Sequence, residues 1–115
     1  IDKTLTIDQE NTEYIDLLPN YEIIEKLKDY KEKGFRIILF TSRNMRSFNN
    51  NLGEINAKTL PIIFKWLEKH NIPYDEIFVG KPWCGHDGFY VDDKAIRPQE
   101  FLELSYEEVR KLIDA

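Results

Sequence analysis

At 115 residues, 42% hydrophobic and 32% charged, the chain reads as one domain, long enough for a core but short for an enzyme with a separate lid. No apolar run approaches the ~20 residues of a membrane span, and a net charge of −5 weighs against a nucleic-acid groove, which needs a basic face. The single Cys84 can form no internal disulfide, which fits a reducing compartment, the cytoplasm.

There is no internal repeat, linker, low-complexity tract or signal-peptide pattern. Most of a first strand is expected to precede Ile1. Ile7 to Pro19 reads as a short loop whose Tyr14, Ile15, Leu17 and Leu18 pack into the core or form a small flap. From about Asn20 to Lys33 the spacing predicts a helix: Ile23, Ile24, Leu27 and Tyr30 form the apolar stripe, Asn20 caps it and Gly34 ends it. Phe35 to Phe40 is a nearly continuous apolar run, as in a strand covered on both faces. The polar run Ser47 to Gly53 reads as a loop. A second helix is expected from about Ala57 to His70, with Leu60, Ile63, Phe64 and Leu67 facing inward. Pro61 suits its first turn, so Thr59 or Asn56 is the cap. Ile77 to Val79 and Phe89 to Val91 read as short strands. Ser105-Tyr106-Glu107-Glu108 is a capping box that opens a last helix, with Val109 and Leu112 to pack. The alternation of strands and helices predicts an α/β domain: a parallel sheet with helices on both faces.

In such sheets ligands bind at the carboxyl ends of the strands. Asp2, Thr41, Lys81 and Asp92 each fall at or just after the end of an apolar, strand-like run. Together they supply the parts for phosphoryl transfer: carboxylates for Mg²⁺, a hydroxyl and an ammonium for phosphate oxygens, and an acid/base. In an Asp-x-Asp pair on an extended segment the two side chains point the same way. The first attacks phosphorus; the second, here Asp2, protonates the leaving oxygen and later activates water. The first Asp is expected immediately before Ile1. Thr4 is spaced to orient the Asp2 carboxylate, and Ser42 to share the task of Thr41. Arg43 and Arg46 are candidates for a bidentate clamp on a substrate anion. Pro82 restricts Lys81 and helps aim it. Asp92-Asp93 after Phe89-Tyr90-Val91 needs compensation, which Mg²⁺ or Lys81 and Lys94 would supply, with Asp92 as ligand and Asp93 in support. His86 and Asp87, between Lys81 and Asp92, are placed to line the pocket. Each residue also has a plainer reading: a solvated end for Asp2, turns for Thr41-Ser42 and Asp92-Asp93, a solubilising role for Lys81. Cys84 lies in neither a Cys-x-x-Cys nor a Cys-x5-Arg pattern, and two His with one Cys do not make a structural zinc site.

These segments, in this order, resemble the haloacid dehalogenase superfamily of aspartate-dependent phosphatases. Asp2 to Thr6 resembles the tail of its first motif, Thr41 the second, Lys81 the third and Asp92-Asp93 the fourth. The runs Thr41 to Arg46 and Gly80 to Pro98 are similar to small bacterial members of capsular polysaccharide or lipopolysaccharide biosynthesis. The resemblance implies a three-layer, Rossmann-like core without a cap domain. It also implies Mg²⁺ as cofactor, an aspartyl-phosphate formed on the upstream Asp, and a sugar-phosphate or related glycan precursor as substrate. Asp2 would be general acid/base and metal ligand, Thr41 and Lys81 would hold the phosphoryl group, and Asp92 would bind metal. Lys3 stands where Gly or Asn is commoner. With no insertion large enough for a cap, the site is expected to be open, suited to a large substrate or closed by a neighbouring copy in a homo-oligomer. Two other functions fit the same fold: a non-catalytic module binding a phospho-ligand or a partner, and a polynucleotide-end phosphatase, against which the acidic balance counts.

Overall fold

The two ends of the expected Ile7-to-Pro19 loop pair with each other. In the computed structural model, which describes residues 1–7 and 11–114, β1 (Thr6–Ile7) and β2 (Leu18–Pro19) form an antiparallel pair, Thr6 opposite Pro19 and Ile7 opposite Leu18. Residues 8–10 of that loop lie outside the described residues. A 3-10 turn at Tyr14–Asp16 follows, and the core takes Tyr14 and Leu17 while Leu18 stays exposed.

α1 (Tyr21–Glu32) matches its sequence signals. The Asn20 side chain accepts from Ile23 N at 3.4 Å, satisfying a donor that a helix start leaves unpaired, and Ile23, Ile24 and Tyr30 are buried. Gly34, with φ +94°, ends the helix in the left-handed region. β3 (Ile38–Phe40) is shorter than the apolar run around it and pairs in parallel with β4 (Glu76–Phe78), Leu39 opposite Ile77. The expectation of cover on both faces does not hold. Ile37 and Leu39 are buried, whereas Ile38 is 52% and Phe40 47% exposed. Successive strand residues point to opposite faces, and only one face of this short pair is packed.

The second helical run starts well before Ala57. Asn51 caps α2 (Leu52–Glu54), its side chain accepting from Glu54 N at 3.0 Å; a π turn, Ile55–Thr59, leads into α3 (Leu60–Lys69). Pro61 explains the wide turn: it lacks the N–H for a bond one turn back and its ring crowds that carbonyl, so the helix loosens just ahead of it. Thr59, expected as cap, makes no capping bond. The buried stripe is Ile63, Trp66 and Leu67. Phe64, expected inside, is 39% exposed and stacks on Tyr74 with ring centroids 6.4 Å apart. Trp66 takes the interior because its indole N–H has a partner there, Leu17 O at 2.9 Å.

These elements belong to the unit Ile1–Trp83, and Cys84–Ala115 forms a second unit. In the second, α4 (Pro98–Glu103) starts with Pro98 in its first turn, and Arg97 N donates to Glu100 Oε1 at 2.9 Å. α5 (Tyr106–Ile113) carries the expected capping box: Glu108 N donates to Ser105 Oγ at 3.2 Å and Ser105 N to Glu108 Oε1 at 3.0 Å. The expected strand Phe89 to Val91 is not formed; Phe89 is 80% and Val91 88% exposed. Three apolar residues make a strand only where a neighbouring ladder takes up their backbone groups. Sheet pairing among the described residues is thus two separate two-stranded sheets in an α/β chain. No helix among the described residues is long and apolar enough to cross a membrane.

Candidate active site

The carboxyl ends of β3 and β4 are where the chemistry gathers in the unit Ile1–Trp83. β3 runs into Thr41, whose N–H still bonds Phe78 O at 3.0 Å, so the parallel ladder extends to the first candidate hydroxyl. Past β4 the chain must turn. Gly80 does this at φ +88°, where an added Cβ would also meet the Leu52 side chain at 2.9 Å. The turn brings Lys81 back, its N–H donating to Thr41 O at 3.1 Å. Thr41 and Lys81, distant in sequence, are thereby joined by one backbone bond.

Asp2 comes to the same end. Ile1 N donates to Phe40 O at 3.3 Å, and Leu5 N closes a turn onto Ile1 O at 2.9 Å, so Asp2 sits in a turn beside the tip of β3. Arg43 Nη1 lies 3.9 Å from Asp2 Oδ1. Thr41 is buried, and its Oγ1 accepts from Arg43 N at 3.0 Å, fixing the turn that follows β3. Ser42 and Lys81 are half-buried.

Two expected arrangements differ. Asp2 Oδ1 is buried and has no hydrogen-bond partner, so Thr4 does not orient it. The hydroxyl that ties this turn is that of Thr6, accepting from Lys3 N at 3.2 Å, with Lys3 at φ 57°. Arg43 and Arg46 do not form a joint clamp: Arg43 stacks on the Tyr14 ring at 4.3 Å and Arg46 on the Trp83 ring at 5.1 Å. Asn44 between them adopts φ 63°, which breaks the helical register that would have aligned them.

A cleft of about 520 Å³ opens beside Arg43, lined by Glu13, Tyr14, Asn44, Thr59 and Ile62 among others. Thr59 Oγ1 donates to Asn44 Oδ1 at 2.6 Å, and Asn44 Nδ2 donates to Ser47 Oγ at 2.9 Å. The Tyr14 hydroxyl is buried without a hydrogen-bond partner; burial first, then the Asp2 charge, raises its pKa, against the pull of Arg43. Tyr14 and Thr59 had read as packing and cap. Their place at the cleft has no local sequence signal, because it arises from the packing of a 3-10 turn against a helix far along the chain.

In the unit Cys84–Ala115, His86, Asp92 and Asp93 are all exposed. Asp92 Oδ1 accepts from Lys94 N at 2.8 Å, the local bond that makes Asp-Asp pairs turn formers, and Lys94 Nζ pairs with Asp114 at 3.6 Å. The two acids follow an exposed extended segment rather than a strand. Cys84 Sγ donates to Gly88 O at 3.4 Å.

Within neither unit do the described residues gather three or more His, Cys, Asp or Glu side chains fit to hold a metal ion. Mg²⁺ keeps several waters and takes as few as one or two carboxylates. A buried carboxylate oxygen without a hydrogen-bond partner, as at Asp2, is a donor of the right chemistry for it.

No protein-family model and no curated protein matches the chain. It is similar to a structural-genomics target from Vibrio cholerae, known as a crystal structure, with 54% identity and a TM-score of 0.93 over 99% of this chain and 92% of that one. The chain belongs to the family of that protein.

Proposed function

We propose that the protein is a Mg²⁺-dependent phosphomonoester hydrolase of the capless haloacid dehalogenase type, with a three-layer parallel core, acting on a phosphorylated sugar or related glycan precursor. One observation carries the reading: an aspartate, a threonine, an arginine and a lysine from three separate stretches share the carboxyl end of the β3–β4 pair. That is where parallel sheets bind ligands.

The residues divide the work as follows. In the family that the chain resembles, an aspartate two positions ahead of the acid/base attacks phosphorus as its carboxylate, and the bond from phosphorus to the ester oxygen breaks. Asp2, as the carboxylic acid, gives its proton to that leaving oxygen. Water then attacks the aspartyl-phosphate; Asp2, now a carboxylate, takes the proton, and inorganic phosphate leaves with both aspartates restored. Thr41 Oγ1 accepts from Arg43 N, which leaves its own hydrogen to donate toward a phosphate oxygen, and Ser42 offers the more accessible hydroxyl. Lys81 and Arg43 balance the charge on the phosphoryl oxygens. Asp2 would hold Mg²⁺, which needs as few as one or two carboxylates. The ion would supply Lewis-acid stabilisation of the same charge.

The full-length protein should release phosphate from p-nitrophenyl phosphate only with Mg²⁺. Asp2→Asn should lower kcat by about 10²- to 10⁴-fold, the usual worth of a positioned acid/base. Metal-independent turnover, or full activity in Asp2→Asn, would sink the reading. Phosphate binding without turnover would point instead to a non-catalytic phospho-ligand module.

A further inference from the structure

Arg43 is a cation whose place at the candidate site rests on another side chain. Its backbone N–H is tied to Thr41 Oγ1 at 3.0 Å, which fixes where the side chain starts but not where the guanidinium ends. An arginine side chain has several rotatable bonds, and holding it in one place costs rotamer freedom. Asp2 does not hold it, because Nη1 to Oδ1 is 3.9 Å, beyond hydrogen-bond reach. The guanidinium lies instead over the Tyr14 ring, its central carbon 4.3 Å from the ring centroid. That is well inside the ~6 Å within which an aromatic face attracts a cation.

The ring is held by the core. Tyr14 is 7% exposed and Trp66 is fully buried, and their rings meet at 5.9 Å with planes 53° apart. Leu17 N donates to Tyr14 O at 3.1 Å, and the Trp66 indole N–H donates to Leu17 O at 2.9 Å. The turn that carries Tyr14 is thus fastened to the same α3 residue that its ring packs against. Arg46 offers the contrast. Its guanidinium lies 5.1 Å from the Trp83 ring, but both side chains are exposed. A cation–π contact in water is weaker than a desolvated one.

Stacking occupies the flat face of a guanidinium. Its N–H groups point outward in the plane and stay open to oxygen acceptors. The Arg43 side chain is 33% exposed, so an anion can reach it. A cation already held in place loses little freedom on binding. Without the ring, Arg43 would be free to close on Asp2 as an ion pair or to swing into solvent, and either would withdraw it from a phosphoryl oxygen. The Tyr14 hydroxyl is buried and takes no part in this.

We infer that Tyr14 is a positioning residue: its ring, and not its hydroxyl, sets the Arg43 guanidinium for a phosphoryl oxygen at the carboxyl end of β3 and β4. This rests on the hydrolase reading only for the task given to Arg43, that of meeting phosphate.

The test measures binding of inorganic phosphate by calorimetric titration of the full-length protein with Mg²⁺. Tyr14→Phe keeps the aromatic face and should leave Kd within about twofold. Tyr14→Leu keeps apolar bulk without the face and should raise Kd roughly five- to tenfold. In an Arg43→Ala background the same Leu substitution should change Kd by less than about twofold, because a residue that acts through Arg43 has nothing left to act on. Equal losses with Phe and Leu, a Leu effect that persists without Arg43, or no phosphate binding by wild type each overturn the inference. If Tyr14→Leu does not fold, the NMR signal of the Arg43 Nε–H group decides. Shifted by the ring current in wild type and Tyr14→Phe and displaced by phosphate, it upholds the positioning role; unshifted by the ring, or unmoved by phosphate, it overturns it. If phosphate binding follows the expected pattern and p-nitrophenyl phosphate is still not hydrolysed, the hydrolase reading falls and the positioning role stands.

Discussion

Every buried apolar side chain among the described residues, from Leu5 to Ile72, lies in the unit Ile1–Trp83; none lies in Cys84–Ala115. The first unit fixes its candidate residues from several directions. Thr41 is held by the ladder to Phe78, by the backbone bond from Lys81 and by its own bond to Arg43 N. The second unit has well-capped helices but exposed candidates: Asp92 is held by one bond from Lys94 two residues on. Helix caps and turns need only neighbours in sequence, whereas a positioned catalytic group needs a core behind it.

Stability measurements in urea provide the largest test of this contrast. Trp66→Ala should cost about 3–5 kcal/mol, through an empty volume behind α3 and the lost bond to Leu17 O. Leu112→Ala, on the exposed side of α5, should cost no more than about 0.5 kcal/mol. Comparable losses would mean that the second unit has a core after all. Next come the caps. Asn20→Ala and Ser105→Ala each remove one side-chain acceptor at a helix start, worth about 1 kcal/mol. The contrast predicts that Asn20→Ala shifts the cooperative unfolding midpoint, whereas Ser105→Ala mainly lowers helical circular dichroism of α5.

The smallest effect is on pH, and it is confined to the first unit. Burial lowers the His70 pKa and Lys69 lowers it further. Below the ordinary value of 6.5 the unfolded chain therefore binds the proton that folded His70 resists, and stability declines as pH falls from there. Asp75 is lowered by hydrogen bonds from Lys31 Nζ and Ile37 N. Its stabilisation is complete above the ordinary 3.8 and is lost as pH falls through the depressed folded value. A urea series from pH 8 to 3 should show a plateau, a shallow decline below 6.5 and a further one below 3.8. His70→Asn should remove the first step and Asp75→Asn the second; a variant that leaves its own step intact would refute that assignment.

What the sequence made legible follows distance along the chain. Asn20, Gly34 and the Ser105–Glu108 box act within four or five residues, and each stands where its pattern placed it. Asp2, Thr41 and Lys81 were legible as strand-end residues. Their meeting depends on the parallel pairing of β3 with β4 and on the left-handed turn at Gly80. Phe89 to Val91 had the composition of a strand and no ladder to join. Phe64 was expected in the interior and Trp66 was not; Trp66 is buried there because Leu17 O offers the indole a partner.

The residue order by itself determined the start and stop of α1, the start of α5 and the kinds of chemical group available at strand ends, because these are set by backbone dihedrals, capping and short periodicities. The tertiary structure alone decided that Thr59 bonds Asn44, that Tyr14 keeps a hydroxyl without a partner beside Arg43, and that one face of β3 stays open. Those outcomes depend on which distant surfaces pack against each other, and packing is settled by the summed burial of the whole unit rather than by any local pattern.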